Sequence, residues 1–225
     1  MNRTARLICS IVINLIVTAA STGVVISYFM GNITNVTYPY ETLFFFTTDS
    51  NLIAALGCLL VAEFEIGILR GKRNSIPQWA ALIKYAGMIS LLLTFLTVMT
   101  LLLPLYGTET VTGTSFHMHI MAPALTFFSF VFLESGRKLD FSRSLWGMAP
   151  MLIYGLIYLI MVVFIGFNNG GWTDFYSFNR NGLWYISLAM MTSATFALCM
   201  STRFLYNLVA KIRKVNYIKK KALSH

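Results

Sequence analysis

Residues 147–167 read GMAPMLIYGLIYLIMVVFIGF and carry no charged side chain. A helix must keep roughly 20 apolar residues in register to cross about 30 Å of hydrocarbon, so this stretch predicts a transmembrane helix. Five further apolar runs of similar length flank it. The sequence therefore predicts an all-α, polytopic membrane protein with a six-transmembrane-helix bundle, whose helices cover about 7–30, 42–62, 80–104, 114–134, 147–167 and 183–208.

The composition indicates that most of the protein surface is in contact with lipid. Apolar residues make up 57% of the 225 residues and charged residues only 11%, with a mean hydropathy of +0.70. A soluble domain of this size has no means of burying so many apolar side chains. We expect one transmembrane domain over residues 1–210, followed by a basic cytoplasmic tail over residues 211–225.

The net charge of +9 is explained by topology. Basic residues stand in short clusters between the apolar runs, and 16 of the 17 fall on the side of the N-terminus if Lys84 and Arg203 are assigned to the nearer helix ends. Because cytoplasmic loops are enriched in Lys and Arg, we expect both termini in the cytoplasm and the protein in the cell membrane. Anionic lipid is the expected partner of the tail, and no nucleic acid is expected.

The cysteine pattern predicts no disulfide framework and no zinc site, because Cys9, Cys58 and Cys199 lie in separate apolar runs. No cofactor is expected, and the sequence leaves the oligomeric state open.

Two segments place polar residues where a bilayer makes them costly, at roughly 1–3 kcal/mol for each unsatisfied group. The second helix contains Thr47, Thr48, Asp49, Ser50 and Asn51 in succession. The fourth helix begins with residues 112–119, which include His117 and His119. Both helices run inward from the same side, so we expect the two segments at similar depth, near the outer leaflet.

Helical spacing orders these candidates. Thr47, Ser50 and Asn51 share one face of the second helix, whereas His117 and His119 are separated by about 200° and only one of them faces a given site. His119 is the better candidate, because it is deeper and one turn before Pro123, which frees a carbonyl one turn back. These residue types fit a hydroxyl nucleophile with a histidine base. The alternative is that the same residues only hydrogen-bond one another between helices, without chemistry. A metal site is disfavoured.

The other ionisable residues lie near the ends of the predicted helices, where we expect them to form ion pairs. We expect Glu63, Glu65, Glu134 and Asp140 to pair with nearby cations, which are Arg70, Arg137, Lys138 and Arg143. Arg180 is the single outer cation. It is expected either to hold an anionic head group or to pair with Asp174 or Glu109.

The segments from Phe45 to Leu52 and from His119 to Pro123 resemble a known family. They are similar to the androgen-induced and androgen-dependent (TFPI-regulating) membrane proteins and especially to their six-helix bacterial relatives, which share an aromatic-Thr-x-x-Ser-Asn-Leu segment and a His-x-x-x-Pro segment. The resemblance implies an intramembrane threonine hydrolase that cleaves esters of fatty acids with hydroxy fatty acids. It places the nucleophile on Thr47 or Thr48 and the base on His119.

Two functions of different classes follow. The first is a lipid-ester hydrolase with Thr47 or Thr48 as nucleophile, His119 as base, and Asp49, Ser50, Asn51, His117 and Arg180 as supporting or binding residues. The second is a small transporter, flippase or lipid-binding protein that uses the same polar residues without chemistry. A transporter needs a polar path to the cytoplasmic side, and the second helix is almost wholly apolar between Leu52 and Leu60.

Overall fold

The computed structural model describes residues 2–30, 38–134 and 138–222, and its regular elements are all helical. Six helices are long and apolar enough to cross a membrane, which confirms the predicted fold class and makes the chain a multi-pass membrane protein. We number them in chain order: α1 Arg3–Phe29, α2 Phe46–Leu69, α3 Gln78–Tyr106, α4 Gly113–Leu133, α5 Phe141–Ile165 and α6 Trp184–Ala222.

The helices alternate in direction, which gives the bundle two faces. The N-terminal face holds the start of α1, the α2–α3 loop and the start of α5. The opposite face holds residues 38–45, 107–112 and 166–183. Arg137, counted above with the basic cluster, lies outside the described residues.

The second helix starts later and ends later than predicted. Residues Pro39–Phe44 form a separate 3-10 turn, and Phe45 is extended with φ −97° and ψ 124°, so α2 starts at Phe46 rather than at 42. It continues to Leu69 instead of ending at 62. The predicted end rested on reading Glu63 and Glu65 as surface charges, but Glu65 is buried.

Close packing of α2 on α3 depends on two glycines. A Cβ added to Gly57 would lie 2.4 Å from the Lys84 Cα, and one added to Gly87 would lie 2.6 Å from the Ala54 Cα. Small residues let helix backbones approach in lipid, where dispersion and polar contacts drive association. These contacts bring Lys84 into the middle of the bundle.

α3 is the central helix, in contact with α2, α4, α5 and α6. Around it, only 17% of the most apolar stretch of α6 and 50% of that of α4 is buried, and the other four helices fall between these values. Many large apolar side chains are exposed on the bundle, as expected when lipid is the solvent.

Candidate functional site

Three buried polar side chains from α1, α2 and α4 meet in the half of the bundle nearer the opposite face. Ser21 donates from its Oγ to Asn51 Oδ1 at 3.0 Å, and the same Oγ lies 3.4 Å from His117 Nε2. His117 Nδ1 is buried without a hydrogen-bond partner among the described residues. The arrangement joins a hydroxyl, an imidazole and an amide that are all buried in the bundle.

The backbone of α4 has an irregular turn next to this cluster, and one of its carbonyl groups contacts the cluster. Residues His117–Met121 form a π-helical turn, in which each carbonyl pairs with the N–H five residues on. For Met118 that partner is Pro123, which has no N–H, and Asn51 Nδ2 instead donates to the Met118 carbonyl at 3.4 Å. The sequence predicted that Pro123 would free a carbonyl at the level of His119 or Ile120; the carbonyl that joins α4 to α2 is instead that of Met118.

The polar side chains at the start of α2 are mostly hydrogen-bonded within the bundle or buried. Ser50 Oγ donates to the Thr47 carbonyl at 3.0 Å and lies 3.1 Å from Thr94 Oγ1 of α3. Asn51 Nδ2 also donates to the Thr47 carbonyl at 2.9 Å. Thr48 is buried, with 3% of its surface exposed.

His119 faces away from this cluster. Its Nδ1 lies 2.5 Å from the Thr110 carbonyl in the connection before α4. No hydrogen bond joins it to Thr47 or Thr48 within the described part of the chain. Counted from the Asn51–Met118 contact at 1.5 Å per residue, Thr48 stands about 3 Å above the level of His117 and about 6 Å above that of His119. In level along the bundle, His117 is therefore nearer to Thr48 than His119 is.

Asp49 lies on a different side of α2, in a groove between α2, α3 and α5. The groove has a volume of about 620 Å³, and its lining is almost wholly apolar. Asp49 and Phe46 mark its end toward the opposite face, whereas Trp79 and Trp146 mark its end toward the N-terminal face. It is therefore an elongated apolar slot with one carboxylate near one end.

An aromatic cap covers the start of α2. Tyr176, from the connection between α5 and α6, accepts the Phe46 N–H at 3.1 Å and also contacts the Thr47 side chain. Burial raises the pKa of Tyr176 to about 12, so its hydroxyl stays protonated at physiological pH. Trp172 from the same connection stacks on Phe44 at 4.4 Å between ring centroids.

Arg180 and Asp174 do not pair with each other. Asp174 accepts the backbone N–H groups of Phe178 and Asn179 at 2.7 and 2.8 Å, and it accepts the Tyr158 hydroxyl at 3.1 Å. The carboxylate is thus occupied in shaping its own turn, and Arg180 is exposed. An exposed cation at this face remains available to an anionic head group.

A second polar cluster, absent from the sequence predictions, lies deep in the half nearer the N-terminal face. Lys84 forms a buried ion pair with Glu134 and donates to Asn14 Oδ1 at 2.5 Å and to Ser129 Oγ at 2.9 Å. The expected surface pairing of Glu134 is wrong, because Lys84 lies six residues inside α3 and is fully buried. The expected pairing of Asp140 with Arg143 is confirmed at 3.2 Å.

The remaining two acidic residues differ from the expectation. Glu63 forms a surface ion pair at 3.4 Å, but with Arg73 rather than with one of the four expected cations. Glu65, expected to pair with a cation, instead accepts from Asn14 Nδ2 at 3.4 Å. Among the described residues, no group of three or more His, Cys, Asp or Glu side chains is placed to hold a metal ion.

Comparison of the chain with known protein families, with curated proteins and with solved structures finds no match.

Proposed function

We propose that this protein is a lipid-binding membrane protein that takes an acyl chain laterally into the groove between α2, α3 and α5. The groove supports the proposal, since its roughly 620 Å³ of apolar space fits the chain of one lipid and runs lengthwise along the bundle. The same bias of basic residues, 15 against one without the buried Lys84, favours an N-in, C-in orientation in the cell membrane.

Asp49 defines the head group that suits this groove. It is the one charged residue in the lining, and it lies near the opposite face, where a head group would reach the interface. A carboxylate accepts hydrogen bonds and attracts cations. The ligand class is therefore a single-chain lipid with an amine or hydroxyl head.

The test is photo-crosslinking in vesicles with a diazirine-bearing long-chain amine and its carboxylic acid counterpart. We expect the amine to crosslink to groove residues and Asp49→Asn to weaken this at least about tenfold, since a charge-assisted hydrogen bond contributes roughly 1.5–3 kcal/mol.

Two tryptophan variants on α5 provide the matched pair. Ile153→Trp narrows the groove and should weaken crosslinking, whereas Leu156→Trp, equally lipid-facing but outside the lining, should not. Equal crosslinking of wild type and Ile153→Trp would rule out the groove as the binding site.

Hydrolysis of a lipid ester is the second candidate, and one observation favours it. The Ser21 hydroxyl and the His117 imidazole lie 3.4 Å apart beside Asn51, with Thr48 close in level on α2. In such a site a hydroxyl attacks the ester carbonyl while the imidazole takes its proton and passes it to the leaving alcohol, and water then cleaves the acyl-enzyme.

Labelling with a fluorophosphonate probe tests this candidate. The resemblance predicts loss of labelling in Thr47→Ala or Thr48→Ala together with His119→Ala. The contacts instead point to Ser21→Ala and His117→Ala. A folded wild type that takes up no probe would leave binding without chemistry as the function.

A further inference from the structure

The buried cluster around Lys84 contains more acid than base. Lys84 and Glu65 are fully buried and Glu134 is 3% exposed, so one ammonium faces two carboxyl groups. If all three were ionised, the cluster would hold one uncompensated negative charge inside the bundle. An unpaired buried ion costs several kcal/mol, so a neutralising partner is required.

Hydrogen bonding identifies Glu65 as the group that lacks a cation. The Lys84 ammonium is directed to Glu134, Asn14 and Ser129. Glu65 accepts hydrogen bonds from the Asn14 amide, at 3.4 Å to Oε2, and from the Ser10 hydroxyl, and its Oε1 is buried with no hydrogen-bond partner among the described residues. An ionised carboxylate in such a place would have only neutral donors as direct partners, whereas a protonated carboxyl is neutral and supplies a donor of its own.

The groups that face Glu65 come from three other helices. α1 contributes Asn14 and Ser10, α3 contributes Lys84 and α4 contributes Glu134, and each of them interacts with the Glu65 carboxyl. Cys58 of α2 lies in the same electrostatic environment. Further toward the N-terminal face, Arg213 of α6 donates to the carbonyls of Val131 and Glu134, and Arg6 of α1 lies near Arg213.

A chain of hydroxyls connects Glu65 to the N-terminal face. Ser10, beside the Glu65 carboxyl, has its Oγ 3.4 Å from Ser129 Oγ, and Ser129 donates to Glu134 Oε1 at 3.0 Å. Glu134 lines a small cavity of about 50 Å³ that also contacts the exposed Lys138. A water molecule occupies about 30 Å³ of liquid, so the cavity admits water to Glu134.

We propose that this cluster is an intramembrane proton-binding site: Glu65 holds one proton in addition to the Lys84–Glu134 ion pair and exchanges it through Ser10, Ser129 and Glu134 with water in the cavity. The proton moves between oxygen atoms, and no other bond forms or breaks. Such a site gives the protein a means of responding to the pH at its N-terminal face.

Infrared spectroscopy of the protein in lipid vesicles tests the proposal. At neutral pH, where exposed carboxyls are ionised, wild type should show the carbonyl stretch of one protonated carboxyl, and this band should shift in D₂O. Glu65→Gln should remove it. Glu63→Gln, on the same helix but exposed and paired with Arg73, should retain it. Asp49→Asn should retain it as well.

Three results would overturn the proposal. They are the absence of the band in wild type, its persistence in Glu65→Gln, and its disappearance when sodium replaces choline in the buffer, which would assign the site to a metal cation. If Glu65→Gln fails to fold, Ser10→Ala gives the answer: loss of the neighbouring hydroxyl should shift the band frequency, and an unmoved band contradicts the assignment.

Discussion

Replacement of Lys84 by methionine tests whether the buried cluster holds the bundle together. The methionine keeps the length and apolar stem of lysine but removes the ammonium that contacts Glu134, Asn14 and Ser129. Among the side chains that the structure describes, the Glu134 carboxylate then keeps the Ser129 hydroxyl at 3.0 Å as its hydrogen-bond partner. Removal of one member of a buried ion pair costs about 3–5 kcal/mol, and we expect Lys84→Met to lose that much stability.

The double variant separates the ion pair from simple packing. Lys84→Met combined with Glu134→Gln removes both charges, and we expect it to lie within about 2 kcal/mol of wild type, because neutral replacements of whole buried pairs cost little. The free energy of unfolding is measured in mixed micelles by tryptophan fluorescence. The exposed Arg73–Glu63 pair provides a control cycle, whose coupling energy should stay below about 1 kcal/mol.

Additive losses of stability in the two single variants would refute this reasoning. If the double variant loses as much stability as the two single variants together, then Lys84 and Glu134 do not stabilise each other, and the cluster contributes only packing. Destabilisation by Lys84→Met as small as that of Arg73→Met would likewise contradict the burial of the pair.

Three other perturbations test the packing and the polar contacts. Gly57→Ala should destabilise by about 1–3 kcal/mol in the same assay, because its Cβ would lie 2.4 Å from the Lys84 Cα, whereas Gly23→Ala, with nothing within 4 Å, should not. Asn51→Leu removes the amide that joins α2 to α4 and should cost about 1–2 kcal/mol; a neutral effect would place the two helices further apart than described. Tyr176→Phe should lower stability by about 1 kcal/mol at pH 8. Because burial raises the pKa of Tyr176 to about 12, above about 10 in the unfolded chain, wild type should lose stability between those pH values by an amount that Tyr176→Phe does not lose.

The two predicted polar segments show how far sequence reasoning reaches into the site. Asn51 and a histidine from α4 do take part in one polar cluster, as helical spacing and depth suggested. The histidine in that cluster is His117, because the π-helical turn and the bond of His119 to Thr110 turn the rings in a way that ordinary helical spacing does not describe. Ser21 was missed, although Ser10, Asn14 and Ser21 recur on one face of α1 at helical spacing, a pattern that is visible in the sequence.

The sequence alone determined the six spans. The length of an apolar run and the charges at its ends are local properties, and they decide whether a segment crosses a bilayer. It also identified the polar segments of α2 and α4 as costly in lipid, but not the cluster around Lys84. Tertiary structure decided which of them meet. Lys84 and Glu134 are 50 residues apart, and Glu65 belongs to a third helix. Only the close contact at Gly57 and Gly87 brings α3 deep enough to place that lysine at the centre of the bundle.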